Sequence, residues 1–141
     1  YGIANQYSSD ITGATDEDLD KTKDALWQGT INLITRSKVG HVPRLLLEII
    51  YQEGFQGMIG ALDEKVALLK NGAPLSDEEQ LSLRSLDGVQ LSILPIIERL
   101  NHNSLASQVK KLRCIKDKDL QLVGSDKLRQ MLGPNFELEE R

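Results

Sequence analysis

Cysteine occurs once, at position 114. An internal disulfide is therefore excluded, and a lone thiol fits a reducing, cytoplasmic setting. Aromatic residues make up only 4% of the chain. Val is outnumbered by Leu, 6 against 23, and because strands enrich Val, Thr and aromatics, that imbalance favours helices. No apolar run approaches the roughly 20 residues of a membrane-spanning helix. No signal-peptide pattern is present either, although the chain opens on Tyr1 rather than Met and so fits a fragment or a processed product. An excess of positive charge is also missing. The net charge is −4 and the isoelectric point about 5.2, which argues against a general nucleic-acid binder.

What is present is aliphatic bulk, with 11 Ile beside those Leu and Val residues among 141 positions. Fully burying one large aliphatic side chain contributes roughly 1.5–3 kcal/mol, so a folded domain is expected rather than a disordered chain, and the length suits one domain.

The first fifteen residues, YGIANQYSSDITGAT, show no helical period and read as an extended arm. Thr15 followed by Asp16, Glu17 and Asp18 is an N-cap with three acids in the first turn. Leu19, Leu26 and Leu33 continue one apolar stripe, widened by Trp27 and Ile31, toward a last turn with Arg36 and Lys38 and a stop at Gly40. A second helix is expected from Pro43. At 100° per residue, Leu45, Leu46, Leu47, Ile49 and Ile50 cover an arc wider than a helix packed on one side requires. Phe55, Met58, Ile59, Leu62, Val66 and Leu69 continue at helical spacing. Gly54, Gly57 and Gly60 interrupt them, either as a helix break or as a face for close backbone approach. Asn71-Gly72-Ala73-Pro74 is a stop.

Ser76 and Glu79 then match a capping box that opens a third helix with Leu83, Leu86, Val89, Ile93, Ile97 and Leu100 on one face and a kink expected at Pro95. A shorter helix follows with Leu105, Val109, Leu112 and Ile115. A last one runs from Ser125 through Leu128, Met131 and Leu132 to Gly133-Pro134. The expected fold is all-α: one compact bundle of four to five amphipathic helices over residues 16–134, preceded by the arm over 1–15 and followed by an acidic tail over 135–141, expected to fray.

Catalytic chemistry has little to work with. His41 and His102 fall in interhelical turns, and neither has a second ligand at the i+3 or i+4 spacing of a helical metal site. Cys114 has Lys111, Arg113 and Lys116 nearby, but a nucleophilic thiol also needs a base. The acid pair Asp63-Glu64 reads as a solvated face, and Asp77-Glu78-Glu79 as helix capping. The three glycines lack the Gly-Lys-Ser/Thr of a phosphate loop. No enzyme activity, cofactor or metal is expected.

The function expected is a protein–protein interaction module, an adaptor, scaffold or regulatory helical domain. Its docking residues would be Leu45, Leu46, Leu47, Ile49 and Ile50, with Leu81 and Leu91 off the main stripe. The partner would be another protein or a second copy of the chain, with nucleic acid unlikely. Two alternatives stand beside it. Residues 110–129 hold seven basic and three acidic side chains, and Lys110, Lys111, Arg113, Lys116 and Lys118 form a basic patch that could meet nucleic acid, though without an aromatic residue for stacking. Alternatively, the chain is a helical subunit of a larger enzyme assembly.

Overall fold

The computed structural model describes residues 2–35 and 40–141. The chain divides into two compact units, Tyr1–Leu46 and Leu47–Arg141.

The first unit is helical. α1 (Gln6–Thr12) lies where an extended arm is expected: the Asn5 side chain accepts the Ser8 N–H at 3.0 Å, and Gly13 at φ 70° ends the helix by donating its N–H to the Ser9 carbonyl. Seven residues leave no room for a helical period, so the sequence signal is confined to these two caps. α2 (Asp16–Ile31) starts at Thr15 as expected, and its capping box is closed by Asp18, whose carboxylate accepts from the Thr15 N–H at 2.9 Å. Hydrogen bonds from the Thr15 N–H and from its hydroxyl, at 2.8 Å, hold the Asp18 carboxyl below its ordinary range. Trp27 is the buried residue of α2. The helix ends at Ile31, short of the expected last turn, and Arg36 and Lys38 lie outside the described residues.

The second unit corrects the all-α expectation. The chain forms two sheets. One has the strand order β1-β5-β7, from β1 (Leu45–Tyr51, which begins at the end of the first unit), β5 (Val109–Lys116) and β7 (Phe136–Glu140). The other has the order β3-β2-β4-β6, from β2 (Ala67–Lys70), β3 (Ala73–Pro74), β4 (Val89–Ser92) and β6 (Gln121–Val123). β2 pairs antiparallel with β3 across the tight turn Asn71-Gly72, and antiparallel with β4, Leu68 facing Leu91 in register. β4 pairs parallel with β6, and β5 parallel with β7. Parallel neighbours need a crossover, usually helical. α4 (Leu94–Asn101) lies on the path from β4 to β6, and α5 (Ser125–Leu132) on the path from β5 to β7.

The expected second helix is therefore strand β1. Seven residues, LLLEIIY, are short enough for a strand, and an apolar run of that length has no period that separates helix from strand; Ile49, Ile50 and Tyr51 carry the strand preference. The expected third helix is three elements. Its capping box is real, with the Glu79 carboxylate accepting from the Ser76 N–H at 2.8 Å, but α3 (Asp77–Ser82) stops after six residues. Val89 then lies on β4, and Pro95 sits in the first turn of α4, where its missing N–H costs nothing, instead of kinking a longer helix. Val109, Leu112 and Ile115 lie on β5. The tail expected to fray is β7, held beside β5 over Leu112–Lys116 and continued by the Arg141 N–H donating to the Lys116 carbonyl at 2.9 Å.

The core of this unit gathers side chains from both crossovers. Ile93 at the N-cap of α4, Ile96 and Leu100 of α4, Leu112 and Cys114 of β5 and Leu128 of α5 are fully enclosed, with Phe136 of β7 nearly so. Gly124, at φ 110°, turns β6 into α5 against α4; a Cβ there would lie 3.1 Å from Ile93 Cγ1 and 3.2 Å from Ile97 Cδ1. Both the backbone conformation and the close approach select glycine.

Candidate functional site

The residues expected to dock a protein are scattered. Leu45, Leu46, Leu47 and Ile49 are half-buried on β1, and Ile50 is exposed there. Leu81 projects from α3 at 82% exposure, whereas Leu91 is half-buried on β4 opposite Leu68. The five apolar residues of 45–50 belong to a strand whose side chains alternate between two faces. They make no helix face, and the wide apolar arc derived for a helix does not exist.

The basic patch occupies a better-defined place. β5 is the central strand of its sheet. The C-terminal end of β1 meets the start of β5, where the Gln52 N–H donates to the Gln108 carbonyl at 2.8 Å, and further along Arg113 Nη1 lies 3.5 Å from Glu48 Oε2. Residue numbers fall along one strand as they rise along the other, so the two run in opposite directions. On the other side, the parallel register sets Arg113 beside Glu137 and Lys116 beside Glu140. Glu137 bridges two cations, with Lys111 Nζ at 2.8 Å and Arg113 Nε at 3.1 Å. Hydrogen bonds from Lys111 and Arg113, reinforced by their charges, hold its carboxyl below the usual carboxylate range.

Lys116 is structural. Its side chain is 10% exposed and its ammonium reaches Glu140 at 2.8 Å and the Leu120 carbonyl at 3.1 Å. Three of the five basic residues are thus matched by carboxylates from neighbouring strands, because the acids of FELEE on β7 lie in register with the cations of β5. Lys110 and Lys118 are exposed. Arg129 on α5 is exposed and lies over the Phe136 ring, 5.6 Å from its centre.

A second cluster, not anticipated from the sequence, sits at the end of β1. Tyr51 closes the strand and Phe55 folds back onto it, ring centres 5.2 Å apart at 39°. Gly57 lies against the Phe55 ring so tightly that a Cβ would fall 2.4 Å from Cζ. Tyr51 Oη accepts the Ile59 N–H at 2.9 Å, which pins the far side of the loop. The three glycines thus mark a break in the chain and not a helix face: Gly54 and Gly60 have positive φ, and Gly57 makes room for the ring.

Arg99 lies in the last turn of α4. Its Nη1 lies 3.5 Å from Nδ1 of His102, the C-cap of α4. Burial pushes the Tyr51 phenol up, while the Ile59 N–H and the positive charge of Arg99 pull it down. The sequence signal was a lone Tyr and Phe within a glycine-rich stretch and an Arg near a helix end.

Cys114 is fully buried on β5, and burial pushes its thiol up to about 12. Its basic neighbours on the strand therefore do not activate it. Among the described residues no group of three or more His, Cys, Asp or Glu side chains could hold a metal ion, and no helix is long and apolar enough to cross a membrane.

No protein-family model matches the chain. The chain is similar to the CRISPR-associated protein Cas7 of Haloferax volcanii, with 27% identity over 131 residues. The similarity covers 92% of this chain and 36% of that protein, so the chain spans about a third of the length of the curated relative it matches. Together with the mixed fold, this similarity replaces the expectation of an all-helical adaptor module. It also removes support from the expectation that nucleic acid is an unlikely partner.

Proposed function

We propose that this chain is part of a subunit of a CRISPR-associated assembly, where it contributes surface that holds nucleic acid beside other protein subunits and catalyses no reaction itself. One observation carries the reading: the similarity to a CRISPR-associated protein extends over 92% of the chain. CRISPR effector complexes leave sequence reading to base pairing and hold the nucleic acid through its backbone in a positively charged channel. A segment of such a complex needs exposed hydrogen-bond donors with positive charge rather than a catalytic centre. Lys110, Lys118, Lys127 and Arg129 are exposed donors on the second unit. The non-catalytic part of the reading is supported by the deep burial of the only thiol.

The test is fluorescence anisotropy of a labelled single-stranded RNA titrated with the full chain between about 50 and 200 mM salt, the range over which phosphate contacts weaken measurably. Binding that weakens steeply with salt is expected, with the RNA recovered at its original length after incubation with magnesium. Absence of binding at the lowest salt overturns the nucleic-acid reading; shortened RNA overturns the non-catalytic one.

A further inference from the structure

We infer that Asn71 is a site of spontaneous covalent modification, where the peptide nitrogen of Gly72 closes on the Asn71 carboxamide to give a succinimide and then aspartate or isoaspartate. Asn71-Gly72 is the one Asn-Gly pair of the sequence. It forms the two-residue turn between β2 and β3, with Lys70 facing Ala73 in register. The inference is independent of the nucleic-acid reading above. Its basis is the contrast between Asn71 and two other asparagines. The Asn5 side chain accepts the Ser8 N–H at 3.0 Å, and the Asn32 side chain donates to the Gln28 carbonyl at 2.8 Å. Asn71 is exposed, and among the described residues neither its carboxamide nor the Gly72 N–H has a hydrogen-bond partner.

The step balances with no reagent but water. The Gly72 nitrogen bonds to Asn71 Cγ, the Cγ–Nδ2 bond breaks, and Nδ2 leaves as ammonia with the proton of the Gly72 N–H. Water then opens the imide. Attack at Cγ gives aspartate. Attack at the main-chain carbonyl carbon gives isoaspartate, whose backbone runs through Cβ and Cγ and is one methylene longer. Glycine favours the closure because it has no side chain to obstruct its own nitrogen. The space around it is also open, with nothing within 4 Å of where a Cβ would stand.

Closure requires the turn to open, because Asn71 must rotate its following peptide to bring the Gly72 nitrogen over Cγ. β3 resists this weakly. It is the edge strand of its sheet, two residues long and exposed, and Pro74 brings no N–H to the pair with Leu69. The first anchored residue beyond the turn is the buried Leu75, whose N–H donates to the Leu68 carbonyl at 2.9 Å. Parting Lys70 from Ala73 therefore uncovers no core side chain, and such local openings occur well short of global unfolding. The product then changes the hairpin. Loop length sets the register of a two-residue hairpin, so the added methylene of isoaspartate displaces Ala73 and Pro74 from their partners. A new carboxylate also stands beside Lys70. The modification releases this edge of the sheet.

The experiment ages the full chain and the variant Asn71→Gly for several weeks in mildly alkaline buffer at physiological temperature. Each asparagine-containing peptide is followed by mass spectrometry, isoaspartate is counted by enzymatic methyl transfer from S-adenosylmethionine, and a thermal melt is run on each sample. Asn71→Gly keeps a Gly-Gly turn and removes the carboxamide. The peptide holding Asn71 should gain the mass of OH in place of NH2, at a rate that rises with hydroxide. Methyl acceptance should appear in the parent chain and not in Asn71→Gly. The folded chain should convert about tenfold more slowly than the chain unfolded in guanidinium, a factor that corresponds to about 1.4 kcal/mol of opening, near the upper end for one net hydrogen bond. The aged parent chain should melt below the fresh one, while aged Asn71→Gly should melt as it did fresh. Conversion in guanidinium with none in the folded chain overturns the inference, since the turn then shields Asn71. Equal conversion at Asn32 overturns it too, because the unbonded carboxamide and the glycine would then not select the site. A converted chain that melts with the fresh one overturns the release of the edge.

Discussion

Lys116 offers the sharpest test of how the second unit is held together, because one ammonium joins three pieces of chain. It reaches Glu140 at the end of β7, the Leu120 carbonyl at 3.1 Å and the Asp117 carbonyl at 3.5 Å, closing the turn between β5 and β6 onto the sheet. Lys116→Met keeps the aliphatic stem and removes the charge. The Leu120 carbonyl then lacks its partner, a cost of about 1–3 kcal/mol, offset by no longer desolvating an ammonium; about 1 kcal/mol of net loss is expected. Lys116→Ala also removes three buried methylenes worth about 0.8 kcal/mol each, for a total near 3 kcal/mol. Glu140→Gln should cost under about 1 kcal/mol, because that carboxylate is 59% exposed and solvent screens the pair. The assay is urea unfolding followed by far-UV circular dichroism. The reasoning fails if Lys116→Ala lies within about 0.5 kcal/mol of the parent chain, the range of a featureless surface change, or if Glu140→Gln costs more than Lys116→Met.

Three further outcomes follow from the packing. Gly57→Ala places a methyl 2.4 Å from Phe55 Cζ and should cost about 1–3 kcal/mol, the scale of overpacking; Phe55→Leu in the same chain should recover part of that loss in a thermal melt. Leu128→Ala, at a fully enclosed position, should cost about 2–5 kcal/mol, whereas Leu81→Ala, 82% exposed on α3, should stay within about 0.5 kcal/mol, both read by urea unfolding. Burial raises the Cys114 thiol from its ordinary value of 9.0 to about 12. The folded state therefore keeps the proton while the unfolded chain releases it, and stability falls as pH rises from about 9 toward about 12. Thiol-reactive dye should label Cys114 slowly at pH 8 in the folded chain and quickly in urea; equal rates contradict the burial.

What could be read from the sequence was local, and what could not was set by distant neighbours. The capping boxes at Thr15 and Ser76 and the helix Ser125–Leu132 all appear in the structure, because the residues that define them lie within a few positions of one another. The strands were hidden by composition and by burial on both sides. β1 and β2 are rich in Leu, which prefers helices, and β5 buries Val109, Leu112, Cys114 and Ile115, a spacing that passes for a helical stripe. A strand covered on both faces loses the two-residue alternation that identifies it. The same limit applied to the site. Lys111, Arg113 and Lys116 looked like a free basic patch because their acidic partners, Glu137 and Glu140, lie more than twenty residues further along the chain.

Charge shows why a whole-chain total misleads about nucleic acid. The net charge of −4 opposes long-range attraction to a polyanion, but at physiological salt exposed charges beyond about 8 Å are largely screened. Affinity then depends on what lies within one such radius of a phosphate. Along β5 that neighbourhood is close to neutral, since Glu48, Glu137 and Glu140 answer Arg113, Lys111 and Lys116. Lys110, near the start of the same strand, is exposed. The paired cations of β5 are therefore the weaker electrostatic receptors, and the exposed lysine beside them the stronger. Neutralising Lys111 should accordingly change the salt slope of RNA binding less than neutralising Lys110, and a larger effect at Lys111 would show that its pairing with Glu137 opens when nucleic acid arrives.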